Sequence, residues 1–168
     1  MKIGFAILSY NNPLQLLRLV KTLEIMFDAP PIACHHNFNQ CSPDKSLFPS
    51  CVEFIQPHLH TKWGHISTPL AALRSFRHLA DHHLPDWYFL LSGSDYPVRS
   101  AADILRDLSA AIWDAYLDSE EIRIDRRQPD GTTGRGFSPQ RGERSLSAIS
   151  RLGAVALTWT ASRWGTAS

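Results

Sequence analysis

Residues 92–96, Ser-Gly-Ser-Asp-Tyr, place a carboxylate and three hydroxyls directly after the apolar run Trp87–Leu91. An uninterrupted apolar run of this length predicts a strand that is buried on both faces. Pro97 cannot continue a central strand, so the polar residues must form a turn. Asp95 is the first candidate for function, because open α/β sheets bind ligands at the carboxyl ends of their strands. The alternative is that Asp95 only hydrogen-bonds to the backbone of its own turn.

Three further polar segments follow predicted strands. They are Ser9-Tyr10-Asn11, Asn37 and Lys62-Trp63-Gly64. If the strands are parallel, these segments meet residues 92–96 at one edge of the sheet, where a nucleotide is a natural ligand. Trp63 could offer a flat apolar surface, Gly64 a close backbone approach, and Lys62 a positive charge for phosphate. Trp63 could equally be a cover over the core of the sheet.

Several other site types lack their usual sequence patterns. Neither G-x-G-x-x-G nor G-x-x-x-x-G-K-[ST] occurs, which removes the usual support for a dinucleotide site or a P-loop. Ser92-Gly-Ser94 also lacks the G-x-S-x-G pattern of a hydrolase nucleophile. Seven histidines could act as general bases, although the sequence reveals no carboxylate partner for them. They are His35, His36, His58, His60, His65, His82 and His83.

Zinc binding through Cys34, Cys41, His35 and His58 is a further alternative. His35 and His36 are adjacent, and adjacent side chains on a strand point to opposite faces of the sheet. The two imidazoles therefore cannot easily share one metal ion. Because the three cysteines are an odd number in a chain without an export signal, we expect them to be reduced thiols.

The overall composition indicates one globular domain with an ordinary core. The chain has 168 residues and a formal net charge of +1, which gives no reason to expect nucleic-acid binding. No run approaches the ~18 consecutive apolar residues of a membrane-spanning helix, and residues 1–4 lead directly into a strand-like segment. We therefore expect a protein of the cytoplasm, or one that binds peripherally to the cytoplasmic face of a membrane.

The composition changes sharply near residue 125. Residues 126–168 contain seven arginines, no lysine and two acidic residues, and they hold six of the nine glycines. Their helical and strand periodicity also disappears, apart from a strand-like run at Leu152–Leu157 that has no later segment with which to pair. We therefore predict one domain over residues 1–125 and an Arg/Gly-rich, disordered tail over residues 126–168.

Strand-like runs alternate with helical patterns along the first 125 residues, which predicts parallel βαβ units. The runs are Ile3–Leu8, Ile32–His36, Cys51–Ile55 and Trp87–Leu91. The first predicted helix begins with Asn12 as its cap and has an apolar stripe at Leu16, Leu17, Val20, Leu23 and Phe27. The second is capped by Ser67 or Thr68, opens at Pro69, and has its stripe at Leu70, Leu73, Phe76, Leu79 and Ala80. A capping box at Ser100 and Asp103 predicts a third helix from Ala101 to about Leu108.

Five segments together resemble the core-2/I-branching enzyme family, the β-1,6-N-acetylglucosaminyltransferases and peptide O-xylosyltransferases. The segments are Phe5-Ala-Ile-Leu-Ser9, Cys34-His-His-Asn37, Val52, Lys62-Trp-Gly-His-Ile-Ser67 and Leu90-Leu-Ser-Gly-Ser-Asp-Tyr-Pro-Val98. The resemblance covers residues 2–125. It implies an α/β fold with a GT-A-like (Rossmann-like), mostly parallel sheet flanked by helices, incomplete at the C-terminus. It also implies inverting transfer of a GlcNAc- or xylose-type sugar from a UDP-sugar to a glycan or hydroxyl acceptor, without an obligatory metal.

The resemblance also implies a set of donor-binding residues. These are Ser9, Asn37, Thr61, Lys62, Trp63, Gly64, Ser92, Gly93, Asp95 and Tyr96. Asn37 stands where the family has the Asp of a His-x-Asp motif that holds the uracil or ribose, and an amide keeps hydrogen bonding but lacks the charge. The family's catalytic carboxylate lies well after the Ser-Gly-x-Asp loop, and no residue here matches it.

The tail at residues 126–168 is expected not to be family sequence, as a shifted reading frame or a truncated gene would produce. The chain would then be inactive as it stands. The alternative from another class is a non-catalytic module that binds a nucleotide or a partner, with its basic tail in contact with anionic lipid or RNA.

Overall fold

The computed structural model describes residues 1–62, 64–116 and 155–158, the last as backbone only. Within these ranges the strands are β1 (Ile3–Ser9), β2 (Ile32–His36), β3 (Val52–Phe54), β4 (Trp87–Ser92), β5 (Ala115–Tyr116) and β6 (Val155–Thr158). The helices are α1 (Pro13–Met26), α2 (Ser67–His82) and α3 (Ala101–Ser109), with one 3₁₀ turn at Lys45–Leu47. The predicted strands and the third predicted helix match these bounds to within two residues.

The strands of the described residues form one sheet in the order β3-β2-β1-β4-β6-β5. The pairs β3–β2, β2–β1 and β1–β4 are parallel. The predicted α/β arrangement, a mostly parallel sheet with flanking helices, is therefore confirmed. Strand β1 lies between β2 and β4, so the strand order reverses at this point of the sheet. The loops after β1 and β4 therefore begin side by side, and this is the usual location of a ligand crevice in an open α/β sheet.

Strand β6 departs from the sequence prediction. The run at Leu152–Leu157 was expected to lack a partner, but Val155–Thr158 pairs antiparallel with β4 and with β5. Strand β4 precedes β6 by more than sixty residues, as Leu90↔Val155 shows, and β5 precedes it by about forty, as Ala115↔Leu157 shows. Local patterns cannot predict so distant a pairing. The rest of the predicted tail and its proposed disorder lie outside the described residues.

Helices α1 and α3 cover one face of the sheet. The core of this face includes the β1 side chains Phe5 and Ile7 and the α3 side chain Ile104, all at most 2 % exposed. Helix α1 begins where the sequence predicts, because Asn12 Oδ1 accepts the Gln15 N–H and Pro13 opens the helix. In α1 it is Leu19 rather than the predicted Leu17 that is fully buried.

Helix α2 covers the other face of the sheet and buries Phe76 and Leu79 of the predicted stripe, so the prediction is confirmed in the second half of the helix but not in the first. Leu70 and Leu73 are 45 % and 60 % exposed, whereas the small residues Ala71, Ala72 and Ser75 are buried. The core on this face also contains the small β-strand residues Ala6 and Ala33. Small side chains on both surfaces let the first half of the helix lie close to the sheet, so Ala71, Ala72 and Ser75 face the sheet there in place of Leu70 and Leu73.

The start of α2 also differs from the prediction. Neither Ser67 nor Thr68 caps the helix, because both lie inside its first turn and no side-chain cap is formed. Their hydroxyls instead contact Lys62: Ser67 Oγ accepts the Lys62 N–H at 3.1 Å, and Thr68 Oγ1 donates to the Lys62 carbonyl at 3.0 Å. Ser67 and Thr68 therefore hold the backbone of the preceding loop at Lys62 instead of capping the helix. Among the described residues, none of the helices has the length and apolar character needed to cross a membrane.

Candidate functional site

The loops that follow β1, β2 and β4 begin at the same edge of the sheet, the edge where these parallel strands end. The Asn37 N–H, directly after β2, donates to the Ser9 carbonyl at 2.8 Å. On the other side of β1, the Gly93 N–H donates to the Leu8 carbonyl, also at 2.8 Å. These bonds continue the ladder one residue beyond each strand. The segments predicted to converge around Ser9, Asn37 and residues 92–96 therefore do so.

Gly93 packs directly against Ser9. A Cβ atom built on Gly93 would lie 2.7 Å from the Ser9 Cβ, far inside an ordinary contact between carbon atoms. The absence of a side chain at Gly93 is thus what lets the β4 loop approach the end of β1. This glycine is needed for space rather than for an unusual backbone conformation.

Asn37 is fully buried and ties a fourth segment to the same edge. Its side-chain Nδ2 donates to the Thr61 carbonyl at 3.1 Å, and its Oδ1 accepts the Asn39 N–H at 3.3 Å. Both ends of the amide are therefore used within the protein. Asn37 positions the loop that carries Lys62, and a ligand would meet that loop rather than the Asn37 side chain itself.

A hydrogen-bonded pair that the sequence did not reveal lies beneath this edge. His36 Nε2 is 2.9 Å from the Cys41 carbonyl, which can only accept, so Nε2 carries the proton. The other ring nitrogen, Nδ1, then accepts from the Ser9 hydroxyl at 2.7 Å. Burial lowers the pKa of His36, and the bond to Cys41 opposes that shift. The pair is visible only once the register places Ser9 opposite His36.

Ser9 is itself buried and 6 % exposed, with its hydroxyl also 3.7 Å from Cys34 Sγ. Burial raises the pKa of the Cys34 thiol to about 12, and the contact with Ser9 partly offsets this. Cys34 is thus an inert core residue at neutral pH. The Ser9 hydroxyl is thus used in contacts with Cys34 and His36 beneath the edge of the sheet.

Asp95 makes the turn contact that the simpler interpretation predicts. Its Oδ2 accepts the Ser92 N–H at 2.7 Å, while its own N–H donates to the Ser92 carbonyl at 3.0 Å. Oδ1 makes no hydrogen bond with any residue that the structure describes. Burial raises the pKa of the Asp95 carboxyl, and the Ser92 N–H opposes the shift. Asp95 therefore shapes the turn and keeps one carboxylate oxygen for another partner.

Tyr96 turns away from the neighbouring loops and packs on α1. The Arg18 guanidinium lies 5.0 Å from the centre of its ring, and its hydroxyl is 3.1 Å from Thr22 Oγ1. The contact with Thr22, followed by the contacts with Arg18, lowers the pKa of Tyr96. Tyr96 and Asp95 border an apolar cavity of about 20 Å³ beneath α1, which is large enough for roughly one water molecule. This cavity is too small for a nucleotide.

The segment after Thr61 presents a cation at the surface. Lys62 is exposed, and its backbone is held by the first turn of α2 and by the His65 N–H, which donates to the Lys62 carbonyl at 3.1 Å. Gly64 has a φ of +69°, a conformation that favours glycine, and an added Cβ would meet no atom within 4 Å. Trp63 lies outside the described residues, so both of its predicted roles remain predictions.

The predicted zinc ligands do not come together among the described residues. His35 Nε2 accepts the Leu59 N–H at 2.8 Å, and Cys34 is buried beside Ser9. The described group with metal-ligand geometry consists instead of Glu53, His78 and His83. No local pattern in the sequence links Glu53 with His78, because only the packing of α2 on the sheet brings them together.

Neither a protein-family model nor a curated protein matches the chain.

Proposed function

We propose that the carboxyl edge of the sheet binds the uridine diphosphate of a UDP-sugar. In this proposal the chain is the donor-binding part of a GT-A-like glycosyltransferase, which transfers a GlcNAc- or xylose-type sugar with inversion to a glycan or hydroxyl acceptor. One observation carries the proposal. Hydrogen bonds from Asn37 to Ser9, from Asn37 to Thr61 and from Gly93 to Leu8 hold four loops together at the end of a parallel sheet.

The residues of this edge divide into two groups by their exposure. Ser9 and Asn37 are buried and hold the loops in place. Lys62, Ser92 and Ser94 are exposed and can reach a ligand. A diphosphate needs a cation and hydrogen-bond donors, which the Lys62 ammonium and the serine hydroxyls supply. In this role Lys62 neutralises charge on the leaving diphosphate, so the transfer requires no divalent metal at this edge.

A nucleotide-binding module without catalysis is the second candidate, and one contact favours it. Inverting transfer needs a carboxylate that removes the proton of the acceptor hydroxyl. Asp95 is the carboxylate of the β4 loop, and one of its two oxygens holds the Ser92 N–H. Because this contact fixes the Asp95 carboxylate against the backbone of its own turn, Asp95 is better suited to holding a ligand than to removing a proton from an acceptor.

Titration calorimetry with UDP tests nucleotide binding, and a UDP-release assay with UDP-GlcNAc and UDP-xylose tests transfer. We expect saturable binding of UDP that weakens about tenfold in Lys62→Ala, because a phosphate contact is lost. Lys21→Ala is the matched control, since Lys21 is an exposed lysine of α1, and it should bind UDP as the wild type does.

The outcomes separate the two candidates. Binding with sugar-dependent release of UDP supports the transferase, and binding without release supports the module. Failure of the folded protein to bind UDP would contradict both.

A further inference from the structure

A second group of polar side chains lies on the face of the sheet that α2 covers. Glu53 belongs to β3, His78 to the last turns of α2, and His83 to the residue directly after that helix. The His83 carbonyl accepts a hydrogen bond from Lys2 Nζ, and Lys2 directly precedes β1. The cluster therefore lies towards the amino edge of the sheet, at the opposite end of β1 from Ser9. It is separate from the proposed nucleotide site.

Both imidazoles face the same carboxylate. His78 Nε2 is 2.6 Å from Glu53 Oε2, and His83 Nε2 is 2.5 Å from Glu53 Oε1. One nitrogen from each histidine and one oxygen from Glu53 all lie within 4.8 Å of one another.

We propose that Glu53, His78 and His83 bind one zinc ion. Two imidazole nitrogens and one carboxylate oxygen are a donor set that zinc prefers, and three protein ligands leave the fourth tetrahedral position to water. The side chains of His78, His83 and Glu53 are 25 %, 27 % and 41 % exposed, so both the ion and this water can enter.

The Glu53 carboxylate must move to accept the ion. Bonds of about 2.0–2.1 Å in a tetrahedral site separate the ligand atoms by about 3.3 Å. Each nitrogen is 2.5–2.6 Å from a different oxygen of Glu53, so the carboxylate must rotate until one oxygen lies at about the tetrahedral separation from both nitrogens. A glutamate side chain can make this shift by rotating about its own bonds. Each imidazole binds zinc as a neutral ring, so the proton that faces Glu53 moves from Nε2 to Nδ1 of the same ring.

The two histidines are held in place by the surrounding structure. The His78 ring stacks on the ring of His82 with the centroids 4.3 Å apart, and His82 Nδ1 is 2.9 Å from the His78 carbonyl. The His83 N–H donates to the Leu79 carbonyl at 2.9 Å, which fixes the end of the helix. Because the ligands come from β3 and α2, a bound ion would link the edge strand to the helix that covers it. We therefore assign the zinc a stabilising role.

The test uses the full chain without an affinity tag, freed of metal with a chelator and then titrated with Zn²⁺ and with Co²⁺. We expect one Zn²⁺ per chain by elemental analysis, the visible absorption of a tetrahedral Co²⁺ site, and a higher melting temperature with Zn²⁺. The variants Glu53→Gln, His78→Gln and His83→Gln should each lose about 100-fold or more in affinity, since changes outside the first shell already cost about 10- to 100-fold.

Two control variants separate a specific site from general binding by histidines. His60→Gln and His65→Gln each remove an exposed histidine of the loop before α2 that does not contact the cluster. Both should retain one Zn²⁺ with the affinity of the wild type. Circular dichroism confirms that each variant is folded before titration. Absence of stoichiometric Zn²⁺ from the folded wild type, or equal losses in the ligand and control variants, would overturn the proposal.

Discussion

Replacement of Gly93 by alanine is the most direct perturbation of the contact between the β1 and β4 loops. The new Cβ would stand 2.7 Å from the Ser9 Cβ, about 1 Å closer than an ordinary carbon contact. Its two other near neighbours, the Ser9 Cα and the Leu8 carbonyl oxygen at 3.5 and 3.6 Å, are at ordinary contact distances, so the clash is with the Ser9 Cβ, which is attached directly to the backbone of β1. Overpacking of this kind costs about 1–3 kcal/mol. The smaller entropy of the unfolded alanine variant returns only about 0.4–1 kcal/mol.

We therefore expect Gly93→Ala to lower the free energy of unfolding by about 1–2 kcal/mol in urea titrations and to weaken UDP binding in calorimetry. The Ser9→Gly background removes the clashing Cβ, so the cost of Gly93→Ala should shrink there and give a coupling energy of about 1 kcal/mol. Gly64→Ala is the comparison variant, because its new Cβ would meet no atom within 4 Å. Gly64→Ala should destabilise the protein only through the φ of +69° at this position. If Gly93→Ala costs nothing, or costs the same with and without the Ser9 side chain, the proposed contact between the loops is refuted.

Three further predictions concern groups around the same edge. Asn37→Asp should cost about 2–4 kcal/mol in urea unfolding, because a buried carboxylate would face the Thr61 carbonyl in place of an N–H donor, and wild-type stability would contradict this. Iodoacetamide at pH 8 should modify Cys41 in the native protein but not Cys34, whose pKa burial raises to about 12; equal labelling by mass spectrometry would contradict this. Burial lowers the pKa of His36, so the unfolded chain binds its proton more readily, and stability should fall as the pH drops below about 6.5. That loss should be smaller in His36→Gln, and an identical pH profile for the two proteins would exclude this role of His36.

Elements with complete local signals could be predicted from the sequence. The strand at Trp87–Ser92 has an unbroken apolar run, and α3 has its cap, since Ser100 Oγ accepts the Asp103 N–H at 3.1 Å. The placement of loops at one sheet edge also follows from local signals, because parallel strands put their carboxyl ends together.

What the sequence could not provide depends on contacts between distant segments. Whether Leu70 or Ala71 faces the sheet is decided by the small residues opposite α2, which helical periodicity does not report. The pairing of His36 with Ser9 requires the register of β1 against β2. Asn37 seemed a ligand residue from the motif alone, and only its burial reveals that its amide is used to hold another loop.

Titration of the ¹⁵N-labelled protein with UDP, followed through its backbone amide resonances, tests whether the nucleotide binds at the carboxyl edge of the sheet. We expect saturable shifts that are largest for Asn37, Lys62, Gly93 and Ser94. Residues at the amino edge, such as Lys2 and Asp86, should shift little. Shifts concentrated at the amino edge, or no shifts at saturating UDP, would contradict the account.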